Sequence, residues 1–275
     1  MKTLYRAAGA SVIGISHIEN GIPCQDKIYS KIKSSVAAIS LADGAGSCSK
    51  SEIGADVCTK YVVDFLCDNF DKTFLQNEED IANLILSGVT NSLKKTVKEF
   101  ELDIMDLSST LLFVAVKKDK FIAGHIGDGL IGAFDGSGCH VLSSPDNGEF
   151  ANETFFITEV NALEHFRIYK DKLKDTTGYI LMSDGSYESL YDTQKGELAP
   201  ANVSFFSWLV DYDNTKEEVE KGLEETLTNK FTKKTKDDCS INLLSTKHIE
   251  GYFDKVIKKI QQIKWWAALT KITTP

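Results

Sequence analysis

The stretch "SLADGAGSCSKSEIG", Ser40 to Gly54, joins an apolar strand to a glycine-rich turn and then to the start of a helix. Glycine-rich turns that open a helix commonly bind phosphate through backbone N–H groups. Here the turn begins with Asp43, whose carboxylate would repel a phosphate that touched it directly. A phosphate could bind at this turn only if a positive group stood between it and Asp43.

The composition is that of an ordinary globular protein. The chain has 275 residues, of which 42% are apolar, and its 31 Lys and Arg against 40 Asp and Glu give a net charge of −9. We expect a single domain over residues 1–275, because no linker or repeat divides the chain. The negative charge argues against nucleic acid as the main partner, since phosphate backbones are bound through excess Lys and Arg.

The chain carries no sign of export or membrane insertion. No apolar run approaches the ~20 residues of a membrane-spanning helix, and the first residues have the pattern of a strand and not of a signal peptide. The six cysteines are scattered, without the spacing of a zinc site. We therefore expect reduced thiols, a cytoplasmic location and no stable membrane insertion.

The predicted elements come in blocks of strands and blocks of helices. "ASVIGIS", "DKIYSKI" and "SVAAISLA" have strand character. A helix capped by a Ser49–Glu52 capping box and a second helix from Asn77 follow, and then a strand meander with tight turns. "GYILMSDG", two helices and "CSINLLS" complete this order. Because strands and helices do not alternate, the pattern predicts an α+β fold with antiparallel sheets.

Two further segments have a less regular pattern. Residues 143–177 contain several phenylalanines between two clear strands, and we expect a mobile, flap-like segment there that helps to select substrates. Residues from about 248 to 266 predict a C-terminal amphipathic helix. That helix could pack on the core, or its "KWWAALTKI" end could hold a partner or touch a membrane surface.

Five aspartates stand at the boundaries of apolar strands. Asp43, Asp128 and Asp184 follow strands, Asp237 directly precedes one, and Asp26 opens an early one. Turn formation explains any one of them, because Asp-Gly is a favoured turn pair. Gathered at one sheet edge, however, the carboxylates would repel one another and raise their pKa values. A hard cation such as Mg²⁺ or Mn²⁺ relieves that repulsion, since it prefers oxygen ligands.

The order of these motifs resembles that of a known enzyme family. "ADGAG", "GDG", "LMSDG" and "DDCSINLL", with "CQD" upstream, resemble the metal-dependent type 2C serine/threonine protein phosphatases (PPM family). "SHIENGIPCQD" and "GEFANETFF" resemble a bacterial branch of that family. The resemblance runs from about Ser11 to Leu244. It implies an α-β-β-α sandwich, in which two packed antiparallel β-sheets are flanked by helix pairs, with a metal centre at one end.

The resemblance also implies a ligand set. Asp43 would bridge two Mn²⁺ or Mg²⁺ ions, and the carbonyl oxygen of Gly44 would bind one of them. Asp184 and Asp237 would hold the other ion. Asp128 matches an aspartate that helps to bind a third, weaker ion in many relatives. Two such ions lower the pKa of a bridging water and clamp the attacking and leaving oxygens of an in-line displacement, so no protein nucleophile is needed.

Other matched positions are partly altered in this chain. Asp26 matches the acidic residue that orients metal-bound water. Ala45 stands where many relatives carry a histidine that protonates the leaving group, and Asp238 replaces a common asparagine. No arginine precedes "CQD", where many relatives use one to grip the phosphate. His17 and Lys27 are the basic residues nearby, and His17 is the candidate for contact with the phosphate.

The implied activity is hydrolysis of phosphoserine and phosphothreonine in proteins. The implied partners are phosphorylated proteins, such as a cognate serine/threonine kinase or the targets of that kinase. The substitution at Ala45 leaves an alternative open, in which a catalytically weak or dead phosphatase-like fold serves as a binding module.

Three further patterns favour simpler explanations. "GDGLIG", from Gly127, formally matches a dinucleotide-binding fingerprint, but a strand-like run follows it where that fingerprint needs a helix. "DYDNTKEEVEKG", from Asp211, lacks the glycine at position six and the glutamate at position twelve of a calcium loop. His125 lies inside a strand, where a satisfied core histidine is expected more often than a catalytic one.

Overall fold

The structure is a computed structural model, and it describes residues 2–146 and 154–249. The strands of this part are Lys2–Val12 (β1), Lys27–Lys33 (β2), Val36–Ala42 (β3), Leu111–Lys117 (β4), Lys120–Ile126 (β5), Leu130–Asp135 (β6), Gly138–Ser143 (β7), Arg167–Lys172 (β8), Gly178–Met182 (β9), Tyr191–Asp192 (β10), Glu197–Leu198 (β11) and Cys239–Ile249 (β12). The helices are Ile15–Asn20 (α1), Ser51–Phe74 (α2), Glu78–Phe100 (α3), Ala162–His165 (α4), Asp184–Tyr187 (α5), Ala201–Val210 (α6) and Lys216–Thr226 (α7).

Two five-stranded antiparallel sheets form the centre of the fold. The first sheet has the order β1-β12-β9-β6-β7, and the second has the order β2-β3-β4-β5-β8. A cluster of buried side chains from both sheets lies between them and includes Ile39, Val114 and Leu181. This arrangement confirms the predicted α+β sandwich.

A helix pair covers the outer face of each sheet. Helices α2 and α3 bury an apolar cluster against the second sheet, and α6 and α7 bury another against the first. Strand β3 is therefore buried at every one of its positions, because side chains on both of its faces are covered. None of the helices in residues 2–146 and 154–249 is long and apolar enough to cross a membrane.

The starts of the two long helices differ in how they are capped. Helix α3 begins where the sequence predicted, and Asn77 caps it, since its side chain accepts a hydrogen bond from Asp80 N at 2.8 Å. The capping box predicted for α2 is wrong. Lys50 occupies the N-cap position without a side-chain bond, and the Ser49 hydroxyl instead donates to Asp106 Oδ1 at 2.9 Å.

The strand meander is divided between the two sheets. Strands β4 and β5 belong to the second sheet, whereas β6 and β7 belong to the first. The crossing starts at Gly127, whose φ of 110° is a conformation that residues with a Cβ rarely adopt. This crossing leaves Asp128 at one end of the sandwich. Because strand β6 follows directly, "GDGLIG" lacks the helix that dinucleotide binding needs.

The segment 143–177 is more regular than its sequence suggests. It contains α4 and β8, and β8 pairs with β5 as the edge strand of the second sheet. The expectation of an irregular stretch is therefore wrong for 162–165 and 167–172. Strand β8 was missed because "RIYKDK" is polar and only half-buried, as an edge strand allows. Residues 147–153 of this segment lie outside the described residues.

The predicted C-terminal helix begins too early. His248 and Ile249 are the last residues of β12, where they pair with Thr3 and Lys2 of β1. The rest of the predicted helix, from residue 250 onwards, lies outside the described residues.

A close backbone contact fixes α2 against the turn before β4. A Cβ on Gly54 would lie 1.9 Å from the carbonyl oxygen of Leu107, closer than any side chain can approach. This turn, Ile104–Leu107, is a short 3-10 helix that leads to Ser108 and Thr110. The helix–turn contact therefore helps to set the position of the chain beside Asp43.

Candidate metal centre

Asp43 is fixed by backbone contacts at the end of β3. Its N–H donates to Thr110 Oγ1 at 2.9 Å, and its carbonyl oxygen accepts from Thr110 N at 2.8 Å. The next residue, Gly44, pairs with Ser109 in an isolated antiparallel bridge. These contacts hold the start of the glycine-rich turn against the residues that precede β4.

The strand ends of the first sheet meet at the same end of the sandwich. Met182, the last residue of β9, pairs with the first residue of β6 and with the third residue of β12. Asp184 lies just beyond β9, and Asp128 and Asp237 lie just before β6 and β12. The register therefore gathers aspartates that are far apart in the sequence.

A cavity of about 240 Å³ opens at this end of the sandwich. Every residue that the sequence analysis assigned as a metal ligand lies in its lining, together with His17. The lining residues are Ser16, His17, Gln25, Asp43, Gly44, Ala45, Gly46, Thr110, Asp128, Thr154, Phe156, Asp184 and Asp237.

The carboxylates in this cavity repel one another. Asp43 lies deep in the protein although it keeps some exposure to the cavity, and this burial is the first cause that raises its pKa well above the ordinary value. The charges of Asp26, Asp184, Asp128 and Asp237 raise the pKa of Asp43 further. In residues 2–146 and 154–249, no three Asp, Glu, His or Cys side chains are yet close enough to bind one ion.

Asp184 and Asp128 have partners that orient them towards the cavity. Gly185 N donates to Asp184 Oδ1 at 2.6 Å, and the Thr154 hydroxyl donates to Asp128 Oδ2 at 2.5 Å. Burial raises the pKa of both carboxyls, and for Asp128 the Thr154 hydrogen bond opposes that rise. Thr154 was not foreseen, since nothing in the sequence brings it next to Asp128.

Asp26 lies behind the wall of the cavity and does not line it. The residue is 1% exposed, and neither of its carboxylate oxygens has a hydrogen-bond partner of normal geometry. The nearby hydroxyls of Ser240 and Ser183 lower its pKa, and the Ser240 hydroxyl also lies 2.5 Å from that of Ser11. Burial, followed by the charge of Asp238, raises the pKa of Asp26. Asp26 therefore acts on Asp43 through its charge from an adjacent buried position.

The adjacent residues Asp237 and Asp238 have different environments. Asp237 is exposed at the cavity, whereas Asp238 is 2% exposed. Asp238 Oδ1 accepts from Gly14 N at 2.7 Å, and Asp238 Oδ2 accepts from Gln25 N at 2.6 Å. One sign of this difference was visible in the sequence, because Asp238 stands where the family resemblance implies an asparagine.

Of the two basic residues near the site, His17 faces the cavity and Lys27 does not. His17 lines the cavity, and its Nδ1 lies 2.9 Å from Asp238 Oδ1. Lys27 is turned away, since its Nζ donates to the carbonyl oxygens of Cys24 and Asp26. Ala45 places no polar group in the lining.

His125 has the role that its position in a strand predicted. Its ring is fully buried, and Nδ1 lies 2.8 Å from the Ser143 hydroxyl and 3.0 Å from a guanidinium nitrogen of Arg167. Burial, and then the charge of Arg167, holds the pKa of His125 well below its usual range. It is therefore a core histidine. The supposed calcium loop is a turn that ends in Thr215, which caps α7 in a capping box with Glu218.

The fold and the carboxylate-lined cavity define the class of protein. An α-β-β-α sandwich with acidic residues gathered at one end of its sheets is the architecture of the metal-dependent protein phosphatases. The sequence profile of the family described as "Protein phosphatase 2C" matches residues 13–228, well over half of the chain. The chain belongs to the protein phosphatase 2C family, and it is a protein serine/threonine phosphatase of the bacterial type.

Individual relatives are similar at different levels. Serine/threonine-protein phosphatase 3 of Escherichia coli (strain K12) is 27% identical over 170 residues, which cover 60% of this chain and 67% of that protein. The serine/threonine phosphatase of S. agalactiae has a TM-score of 0.57 at 19% identity, over 88% of this chain and 99% of that chain. The catalytic domain of serine threonine protein phosphatase PstP, solved with two manganese ions, has a TM-score of 0.57 at 13% identity, over 90% of this chain and 100% of that chain.

Proposed function

We propose that this protein removes phosphate from phosphoserine and phosphothreonine residues of other proteins, using Mn²⁺ or Mg²⁺ bound among the cavity aspartates. The observation that carries the proposal is the cavity at one end of the sandwich, where Asp128, Asp184 and Asp237 converge on the largely buried Asp43. Such a group is costly to the fold when it is charged and uncompensated, and a hard divalent cation compensates it.

The donor set suits these cations. Carboxylate oxygens, a backbone carbonyl and space for water are the ligands that Mg²⁺ and Mn²⁺ prefer, and the cavity lining has no thiol or second histidine among the described residues. Asp43 would contribute to both ions. The carbonyl oxygen of Gly44 would bind one of them, and Asp184 and Asp237 would bind the other. Asp128 would share a third, weaker ion, because fewer protein oxygens surround it.

The bound ions would supply an activated water and would offset the charge of the phosphate. The protein's own residues do the rest. Asp26 is the candidate that orients the water; because it lies behind the cavity wall, it would act through its charge on Asp43 and not by direct contact. His17 would meet the phosphate from the side of the cavity where the chain offers no arginine. Phe156 gives the lining an apolar surface for the substrate chain.

We also propose that the segment 143–177 selects the substrates. Its described part supplies Thr154 and Phe156 to the cavity, so it lies beside any bound phosphoprotein. The expected substrates are a cognate serine/threonine kinase or the targets of that kinase. We expect this protein to act in the cytoplasm, an expectation supported by the free state of all six of its cysteines.

A hydrolysis assay tests this function. Phosphoserine, phosphothreonine and phosphotyrosine peptides would be incubated with the protein, with and without Mn²⁺. We expect metal-dependent release of phosphate from the first two, and loss of most of it in Asp43→Asn and Asp237→Asn. Asp119→Asn, at an exposed position in the β4–β5 turn, is the control and should keep full activity. No hydrolysis by the unmodified protein would favour the inactive binding module, and full activity of both ligand variants would refute the ligand assignment.

A further inference from the structure

Asp238 is surrounded by hydrogen-bond donors on both of its oxygens. Oδ1 faces Gly14 N and His17 Nδ1, and Oδ2 faces Gln25 N at 2.6 Å and Asp26 N at 3.4 Å. An asparagine would turn its NH₂ group towards one pair of these donors and leave them without an acceptor. The structure therefore requires a carboxylate here and not the asparagine that many relatives carry.

This environment fixes the orientation of the His17 ring. Because the carboxylate accepts, the contact at 2.9 Å requires Nδ1 to carry the proton and to donate it to Asp238 Oδ1. The side chain is 12% exposed and lies in the cavity lining. No described residue hydrogen-bonds the other nitrogen, Nε2, which is thus the ring atom left to face a bound substrate.

His17 is the basic side chain that lines the cavity in the described part of the chain. No lysine or arginine occurs in the lining within residues 2–146 and 154–249. Lys27 is held by backbone carbonyls, and Ala45 has no proton to give. When the bond between phosphorus and a serine or threonine oxygen breaks, that oxygen is a strong base and needs a proton.

We propose that His17 is the general acid of the reaction and that Asp238 is the residue that positions it. The proposal rests on the phosphatase function proposed above. It adds a proton donor, which the methyl side chain of Ala45 cannot provide. Asp238 accepts from Nδ1–H, fixes the ring and leaves Nε2 to serve the leaving oxygen, as the carboxylate of a catalytic triad does for its histidine.

In this step one P–O bond is formed and one is broken. The oxygen of a water molecule forms a bond to phosphorus while the ester P–O bond breaks. The electron pair of that bond goes to the serine or threonine oxygen, which takes the proton from His17 Nε2. One proton of the attacking water passes to solvent and the ring regains one from solvent, so that one water is consumed and one alcohol and one inorganic phosphate are formed.

The test compares two leaving groups in the presence of Mn²⁺. A phosphothreonine peptide releases a strongly basic oxygen, whereas p-nitrophenyl phosphate releases a phenolate that needs no proton. We expect His17→Gln to lower kcat on the peptide by roughly 10²–10⁴-fold, the usual contribution of a general acid. The same variant should lower kcat on p-nitrophenyl phosphate only a few-fold.

The control is His140→Gln, since His140 is exposed on β7 and outside the cavity lining. It should leave both rates unchanged. Equal losses on both substrates in His17→Gln would overturn the proposal, because a residue that only binds phosphate serves both. If the unmodified protein hydrolyses neither substrate, the phosphatase function itself fails, which is a different result.

A second measurement needs no activity. Ring-nitrogen NMR of the metal-free protein should show His17 protonated at Nδ1, and Asp238→Asn should remove that preference. Asp238→Asn should also reproduce the substrate-dependent loss, and it should add little to His17→Gln in the double variant. A His17 ring protonated only at Nε2 in the unmodified protein would refute the role of Asp238, even if Asp238→Asn does not fold.

Discussion

Asp184→Asn should make the metal-free protein more stable while it removes activity. Burial, and then the charges of Asp128 and Asp237, raise the pKa of Asp184 from 3.8 to about 7. The folded state therefore holds this proton more tightly than the unfolded chain, so the carboxyl costs stability as the pH rises above about 4. Asparagine keeps the Oδ1 acceptor for Gly185 N but has no charge to lose.

The size of this effect follows from the shift in pKa. One unit corresponds to about 1.4 kcal/mol, so the full shift sets an upper limit of about 4 kcal/mol at neutral pH. The neighbouring carboxylates share that repulsion, and we therefore expect a gain of about 2 kcal/mol from the single substitution. In a chain of this size, such a gain raises Tm by roughly 4–8 °C.

Thermal melting at pH 7 and at about pH 4, with and without Mn²⁺, measures this effect. The gain should disappear near pH 4, where Asp184 is protonated in the folded protein as well. Mn²⁺ at about a hundred times its Kd should stabilise the unmodified protein by about 2.7 kcal/mol, and it should stabilise the variant by less. The reasoning fails if metal-free Asp184→Asn melts at or below the unmodified protein at pH 7 while the surface control Asp119→Asn is unchanged.

Four further outcomes are expected. Without metal, the free energy of unfolding should fall as the pH rises from about 4 to about 8. The pKa of Asp26 is raised from 3.8 to about 8 in the folded protein, so the folded state binds more protons than the unfolded chain over this range. A rise in chemical denaturation midpoints over the same range would contradict this prediction. Asp128→Ala should keep the tight pair of ions in a metal titration but lose the weak one and most turnover; loss of a tight site would place Asp128 among the inner ligands. Phe156→Ala should impair phosphopeptide hydrolysis more than that of p-nitrophenyl phosphate, and equal effects would count against a selective role. Gly54→Ala should lower Tm by several degrees because its Cβ would meet the backbone, whereas Gly136→Ala, with nothing within 4 Å, should change Tm little.

Much of the fold could be predicted from local patterns. Strand β3 and helix α3 have strong periodicity and clear boundaries, such as the Asn77 cap, and both were predicted correctly. The division of the meander between two sheets could not be predicted, because tight turns predict neighbouring strands but do not say which sheet each strand joins. Strand β8 was missed for a related reason, since an edge strand lacks the buried apolar face that makes a strand visible in sequence.

The cavity shows a similar division between local and tertiary information. Aspartates at strand ends were visible in the sequence, because each one stands next to an apolar run. Thr154 and the donors around Asp238 were not visible, since they come from segments that only the tertiary fold brings together. Asp26 was predicted at the site, but its position behind the cavity wall depends on how β2 packs against the first sheet.

The buried carboxylates of this site divide according to what surrounds them. Asp238 accepts from N–H groups on both oxygens and so holds the chain from Gly14 to Asp26 in place. Asp26 has two serine hydroxyls near it in place of such N–H groups, and Asp43 faces other carboxylates, so a bound ion is needed to compensate their charges fully. The repulsion between carboxylates therefore acts on the residues that we assign to the ions and to the water. Cation binding should therefore stabilise the fold and complete the catalytic site in the same step, while the Asp238–His17 pair is already formed before the metal arrives.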